Sequence, residues 1–165
     1  MSQVASVTTS RLSGLLTAGN GLPSSVASLS ASANIVLSPI SISQIVPQNV
    51  SPEIAERALV TKYPTAHVYC EKVVNLLREK FRAFSGEAHM VVEVRVSQDR
   101  LQDLETQTQL YVEAVTNVLD ASRGDWGGGV FHGGGYEVSY GAVKKGGRNL
   151  LQSARISFVL EVSLA

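Results

Sequence analysis

From Leu12 to Pro52 the chain runs for 41 residues without one Asp, Glu, Lys or Arg. Arg11 is the only charged side chain before Glu53, so residues 53–165 hold 27 of the 28 charges. The segment is dense in Ser and is interrupted by four prolines, as a flexible linker would be. It also carries Ile35, Val36, Leu37, Ile40, Ile42, Ile45, Val46 and Val50, too many branched aliphatics for a chain left in water. The reading is an extended uncharged arm over residues 1–60, begun by a helix and packed on its own domain or on a neighbouring subunit.

With 165 residues, the chain has the length of one domain that can build a core without disulfides. Zero net charge gives no overall field to attract DNA, RNA or an anionic lipid surface. The uncharged run is too often broken by polar residues to span a membrane. The start, MSQVASVTTSR, lacks the basic and apolar regions of a secretory signal. Cys70 stands alone, which suits a reducing compartment.

Residues 4–18 predict an amphipathic helix through Val4, Leu12, Leu15 and Leu16, stopped at Gly19-Asn20-Gly21. No period is visible from there to Pro52, which opens a short helix or turn as far as Arg57. Strands follow at 66–75, with Val68, Cys70 and Val74 on one face, and at 88–97, with Met90, Val92, Val94 and Val96 alternating against His89, Glu93, Arg95 and Ser97. Residues 99–121 predict the longest helix, capped by Asp99 with Gln102 at the capping-box position, and lined by Leu101, Leu104, Thr108, Tyr111, Val115, Val118 and Leu119. A third strand spans 130–140 across Gly133–Gly135. After a loop at 141–149 a fourth spans 150–162, with Ala154, Ile156, Phe158, Leu160 and Val162 inward. The outer sheet face then carries Glu93, Arg95, Arg155 and Glu161, so it is polar but not strongly solvating. Together these predict an α+β domain over 61–165: a four-stranded, mainly antiparallel sheet packed on a long helix.

No constellation of catalytic type emerges. His67 and Cys70 fall on opposite strand faces, and His67 with His89, as possible cross-strand neighbours, make too few ligands for zinc. The histidines read as half-exposed strand residues, and no metal or cofactor is expected. Neither glycine triplet fits a phosphate-binding loop. Arg123-Gly124-Asp125 spells an integrin-binding tripeptide but reads as a turn that ends the helix. Two interaction features remain. Lys144, Lys145 and Arg148, set among glycines, make a cationic loop suited to phosphate or an acidic surface. Trp126 beside Gly127, Gly128 and Gly129, with Phe131 and Tyr136, makes a candidate subunit seam.

The blocks YPTAHVYCEKVVN, EKFRAFSG, VVEVRVSQDRL, LYVEAVTNVLD and RGDWGGGVFHGGGYEVSYGAVKKGGRNLLQSARISFVLEV, in this order over about 63–163, resemble the tail terminator (tail completion) proteins of tailed bacteriophages. The resemblance implies a virion protein assembled in the host cytoplasm, and no catalytic motif. It implies a homohexameric ring that caps the tail tube and ends its polymerisation. Its partners would be further copies of itself, the tail tube protein and a neck or connector protein, with DNA passing through the channel without sequence-specific binding. A head–tail stopper or other neck adaptor is the alternative within the same class. From other classes, the rivals are a ligand-binding or enzymatic domain roofed by Phe131, Tyr136 and Tyr140, and a regulatory adaptor that grips a partner with its N-terminal segment.

Overall fold

Strand β3 (Phe84–Gln98) and strand β8 (Asn149–Leu164) form the longest pairing in the molecule. They run antiparallel in unbroken register from Phe84 opposite Leu164 to Gln98 opposite Leu150. At about 3.3 Å per residue this ladder is close to 50 Å long. Period-two alternation fixes the register, because a one-residue slip would turn Met90, Val92, Val94, Ile156 and Leu160 out of the core. The computed structural model describes residues 3–58, 61–146 and 149–165.

Strand β2 (Thr65–Asn75) pairs antiparallel with β3, and the two-residue β1 (Ile45–Val46) adds to β2 in parallel. On the other side of β8 lie β5 (Val130–His132), β6 (Glu137–Tyr140) and β7 (Lys144–Gly146), one after another along the same edge, and β4 (Gly124–Gly127) pairs with β5. The fold is thus α+β with a curled mixed sheet. The four expected strands form its framework, but the third is broken at Gly133–Gly135 into β5 and β6. The expected loop 141–149 is partly a strand, and the short β1 and β4 extend the two sides. A register shift between Cys70 and Lys72 also moves Val73, not Val74, onto the core-packed face of β2.

Helix α4 (Leu101–Ala121) covers one face of the sheet through Leu104, Thr108, Tyr111, Val115 and Leu119. Its N-cap is Arg100 with no side-chain cap, so the expected Asp99–Gln102 box is not formed, and Leu101 lies exposed outside the packed stripe. Helix α1 (Val4–Thr17) lies beside it and buries Val4, Leu12 and Leu16 completely. Thr8 and Thr108 are buried in these helices, and each hydroxyl donates to the carbonyl four residues earlier at 2.8 Å.

The uncharged arm is not extended throughout. Residues Leu22–Ser32 form helix α2, with Pro23 in its first turn, where a missing N–H costs nothing. Leu22 and Val26 are buried, Leu29 packs on the core behind them, and Ser25 Oγ donates to the Ala114 carbonyl of α4 at 2.8 Å. The α1–α2 corner needs glycine at position 21, since a Cβ there would sit 2.3 Å from the Leu16 carbonyl oxygen. Beyond α2 the arm runs without regular structure to a 3-10 turn (Ile42–Gln44) and then β1. Tyr111 Oη donates to the Ser38 carbonyl at 2.6 Å, and Gln44 Nε2 donates to the Pro64 carbonyl at 2.8 Å. Helix α3 (Pro52–Ala58) follows as expected.

The arm's two helices therefore share one core with the sheet. Leu12→Ala should destabilise the whole protein by about 2–5 kcal/mol in urea unfolding. A loss below about 1 kcal/mol would mean that α1 does not belong to that core.

Candidate functional site

The β3–β8 ladder has a hairpin at each end. At the Phe84–Leu164 end β2 turns into β3 through residues 76–83. At the Gln98–Leu150 end β7 turns into β8 beyond Gly146. Lys144 and Lys145 lie on β7 at this second tip, both exposed, opposite Leu151 and Leu150. Lys144 Nζ is 3.2 Å from Glu53 Oε1 and ties the tip to the start of α3. The Glu53 carboxyl is held below its ordinary pKa by the backbone N–H at the helix start, then by Lys144. Arg148, the third residue of the expected cationic loop, lies outside the described residues.

The β4–β5 turn holds the candidate seam. Gly127, Gly128 and Gly129 have φ of 83, 63 and 83°, a left-handed path open to glycine. A Cβ at Gly129 would fall 2.0 Å from the Ser163 carbonyl oxygen, so this position also needs the missing side chain for the approach of β8. Trp126 is half-buried against its own domain: its Nε1–H donates to the Ser122 carbonyl at 2.6 Å, and its ring meets His132 at 5.3 Å and Phe158 edge-on at 6.2 Å. Arg11 of α1 lies over Gly127 and Gly128. Phe131 and Tyr136 are exposed beside this cluster, and Tyr136 Oη donates to Asp120 Oδ2 at 3.3 Å. Arg123 pairs with Asp120 at 3.3 Å while Gly124 and Asp125 begin β4, so the tripeptide spans a helix end and a strand start.

The histidines depart from expectation. His89 is partly exposed and pairs in register with Lys72 and Val159, so it is no neighbour of His67, which faces Glu93. His67 and His132 are buried, 4% and 1% exposed. Both nitrogens of His132 lack a hydrogen-bond partner inside its aromatic cage. Burial, then the nearby Arg123 guanidinium, lowers its pKa. Among the described residues no three His, Cys, Asp or Glu side chains gather as metal ligands.

One polar cluster was not visible in the sequence. Arg95 sits on the sheet face opposite α4 and is only 2% exposed. Its Nη2 donates to the Val50 carbonyl and lies 3.1 Å from Glu93 Oε2, while Nη1 lies 3.2 Å from His67 Nε2. His67 Nδ1 is 3.2 Å from the Gln48 carbonyl. A guanidinium can only donate, so Nε2 accepts and Nδ1 carries the proton: His67 is neutral. Burial, then Arg95, lowers its pKa. The end of the arm thus crosses to this face and covers Arg95, while further along the same polar face stays open, where Arg155 pairs with Glu71 at 2.7 Å. Next to the cluster a cavity of about 430 Å3 opens between β1, α3 and the start of β2, walled by Val46, Val50, Ile54 and Ala55. Thr65, 4% exposed, lines it with a buried hydroxyl that has no partner. The aromatic roof expected for a ligand site does not line this cavity. Tyr136 and Tyr140 stand apart, and Phe131 borders a separate cleft beside Gly129 and Glu161.

Compared with protein-family models, curated proteins and solved structures, the chain finds no match. Among the described residues no helix is long and apolar enough to cross a membrane.

Both buried histidines have folded pKa values below the ordinary 6.5. Just below pH 6.5 the unfolded chain therefore binds more protons than the folded one, and stability falls as the solution is acidified. The loss should reach at most about 1.4 kcal/mol per pH unit for each histidine. His132→Leu should remove its share of that slope in urea titrations between pH 7 and 5. An unchanged slope would place His132 in contact with water.

Proposed function

We propose that this chain is a structural, non-catalytic ring subunit that caps a viral tail tube, ends its growth and joins it to the neck. The observation that carries the reading is the pair of unlike hairpin tips at opposite ends of the β3–β8 ladder. One tip, at 76–83, presents Leu77 and Phe81 to solvent, and the other presents Lys144 and Lys145. A cap between a tube and a neck needs two faces of different chemistry held at a fixed separation, and a ladder of about 50 Å supplies that separation. The residue blocks from Tyr63 to Val162 support the same assignment.

The mechanism is steric. Copies dock on the last tube ring, and their far face no longer presents a tube-subunit surface. Closure into a ring, with six copies as the resemblance implies, would place the same tip of every copy around one opening. A cationic tip that binds weakly once then becomes a positive collar by repetition. The chain as a whole carries zero net charge, which suits a ring through which DNA slides without sticking away from that collar. The proposed seam between copies keeps Trp126 with its glycine turn, Phe131 and Tyr136 as its candidates, supported by β4 standing at the edge of the sheet and by the exposure of Phe131 and Tyr136. The second reading, a ligand-binding domain, has the cavity beside α3 in its favour, and it predicts a monomer.

The test is to polymerise the tail tube protein of the same virus with and without this chain. The chain should shorten the tubes and add a ring of density at one end in negative stain. Tubes of unchanged length with bare ends would overturn the proposal. Replacing Lys144, Lys145 and Arg148 together by Ser should leave the ring intact but reduce neck joining or DNA delivery at least about tenfold. Full delivery by the triple variant would remove this tip from the mechanism.

A further inference from the structure

Strand β2 is left with an open edge. β1 covers only Ala66 and His67, opposite Ile45 and Val46. Pro47 follows at once, and the Gln48 N–H donates to the Val46 carbonyl at 2.9 Å, so the chain turns off the edge there. Residues 68–75 then have β3 on one side and, among the described residues, no strand on the other. Across the sheet, β6 pairs with β8 alone, from Glu137 opposite Ser157 to Tyr140 opposite Ala154. Its outer edge is open as well. Such edges present a row of backbone N–H and C=O groups without ladder partners and are templates for another strand. β3 and β8 stand between the two edges, so one chain cannot pair its own.

Direction and faces are compatible. β2 and β8 each run antiparallel to β3, and β6 runs antiparallel to β8, so β6 also runs antiparallel to β2. Directly paired residues share a face. Val138 and Tyr140 therefore lie on the helix-covered face with Ile156 and Ala154, and Glu137 and Ser139 on the polar face with Ser157 and Arg155. On β2, Val68 and Cys70 lie on the helix-covered face, and Tyr69 and Lys72 on the polar face. Where the open edge begins, a cleft of about 580 Å3 lies between α1 and β2, lined by Ala5, Thr9, Ser13, Pro47 and Cys70. These side chains are small and uncharged.

We propose that β6 of one copy adds antiparallel to the open edge of β2 in the next copy, with Glu137 opposite Lys72, Val138 opposite Cys70, Ser139 opposite Tyr69 and Tyr140 opposite Val68. In this register the shift between Cys70 and Lys72 is absorbed and every pair shares a face. Glu137 and Lys72 are both exposed, and among the described residues neither has an ion pair in its own chain. Glu71, beside Lys72 at the irregularity, is already held by Arg155. Tyr140, 49% exposed, comes over the cleft beside Cys70, where the small side chains of α1 leave room for its ring. The two edges are different patches of one surface, so the contact is head-to-tail and repeats until it closes as a ring. Both hairpin tips stay free, because they lie at the ends of the strands and not along their edges. This inference rests on the ring reading above and names the strands that would join its copies.

The test uses the full chain with Cys70→Ser, carrying Lys72→Cys and Glu137→Cys together or singly. After mild oxidation the chain with both should give a covalent ladder on a denaturing, non-reducing gel that ends at the copy number of the ring, and the single variants should stay monomeric there. In the chain that keeps Cys70, Glu137→Lys and Lys72→Glu should each keep the far-UV circular dichroism and raise the subunit dissociation constant about two- to fivefold in light scattering, and the two together should restore it. Three results would overturn the pairing. One is a covalent dimer in a single-cysteine chain, which is like edge meeting like edge. Another is an intact ring whose double-cysteine chain stays unlinked, or in which the paired charge reversal restores nothing; the ring reading would then stand with its seam elsewhere. The last is a wild-type chain that stays monomeric at every concentration, which would remove the ring and the pairing together.

Discussion

The β3–β8 ladder is the constraint on which the other elements depend. Its pairs from Phe84–Leu164 to Gln98–Leu150 align two alternating strands so that each apolar side chain on one face meets another. Helix α4 and helix α1 exist as packed elements because that face needs a cover, and helices of this kind gain most of their stability from such burial. β2 adds to one edge, and β5, β6 and β7 share the other in segments. The ladder also sets the distance between the two hairpin tips.

The arm solves a second problem. An uncharged segment rich in Ile, Val and Leu must be covered, and the sheet has two faces. Its first part becomes helix α2 and joins the common core. Tyr111 and Gln44 fasten its irregular part by donating to the Ser38 and Pro64 carbonyls. Its last part crosses to the opposite face, where the buried Arg95 bridges the Val50 carbonyl, Glu93 and a neutral His67. A buried cation is stable only when its hydrogens find acceptors; three of the five on Arg95 have them here, and Nε–H has none. The aliphatics Val36, Ile42 and Ile54 remain exposed, and Ile54 borders the cavity.

What could be read from the residues follows from periodicity. Strands β3 and β8 and helices α1 and α4 carry long uniform patterns and lie close to their expected bounds. Helix α2 was hidden because Ser is a weak helix former and Pro23 reads as a breaker, although Leu22, Val26 and Leu29 already stand at helical spacing. The third strand broke where glycines remove side chains that would pack. Alternation assigns Arg95 to the polar face but says nothing of what lies on it; only the return of residues 47–51 covers it. The candidate site was legible in its parts, since the basic tip and the Trp126–Gly129 turn are local features. The 76–83 tip is signalled only by three apolar residues among its charges, and the cavity arises from contacts between separate segments.

An adaptor reading joins these observations: a rigid ladder and two unlike tips at its opposite ends. The central claim is that the copies close into a ring. Native mass spectrometry of the full chain across a hundredfold range of concentration tests it most directly. The account predicts one closed oligomer with a single copy number that persists as the protein is diluted toward its dissociation constant. A monomer throughout, or a ladder of open oligomers that lengthens with concentration, would contradict it.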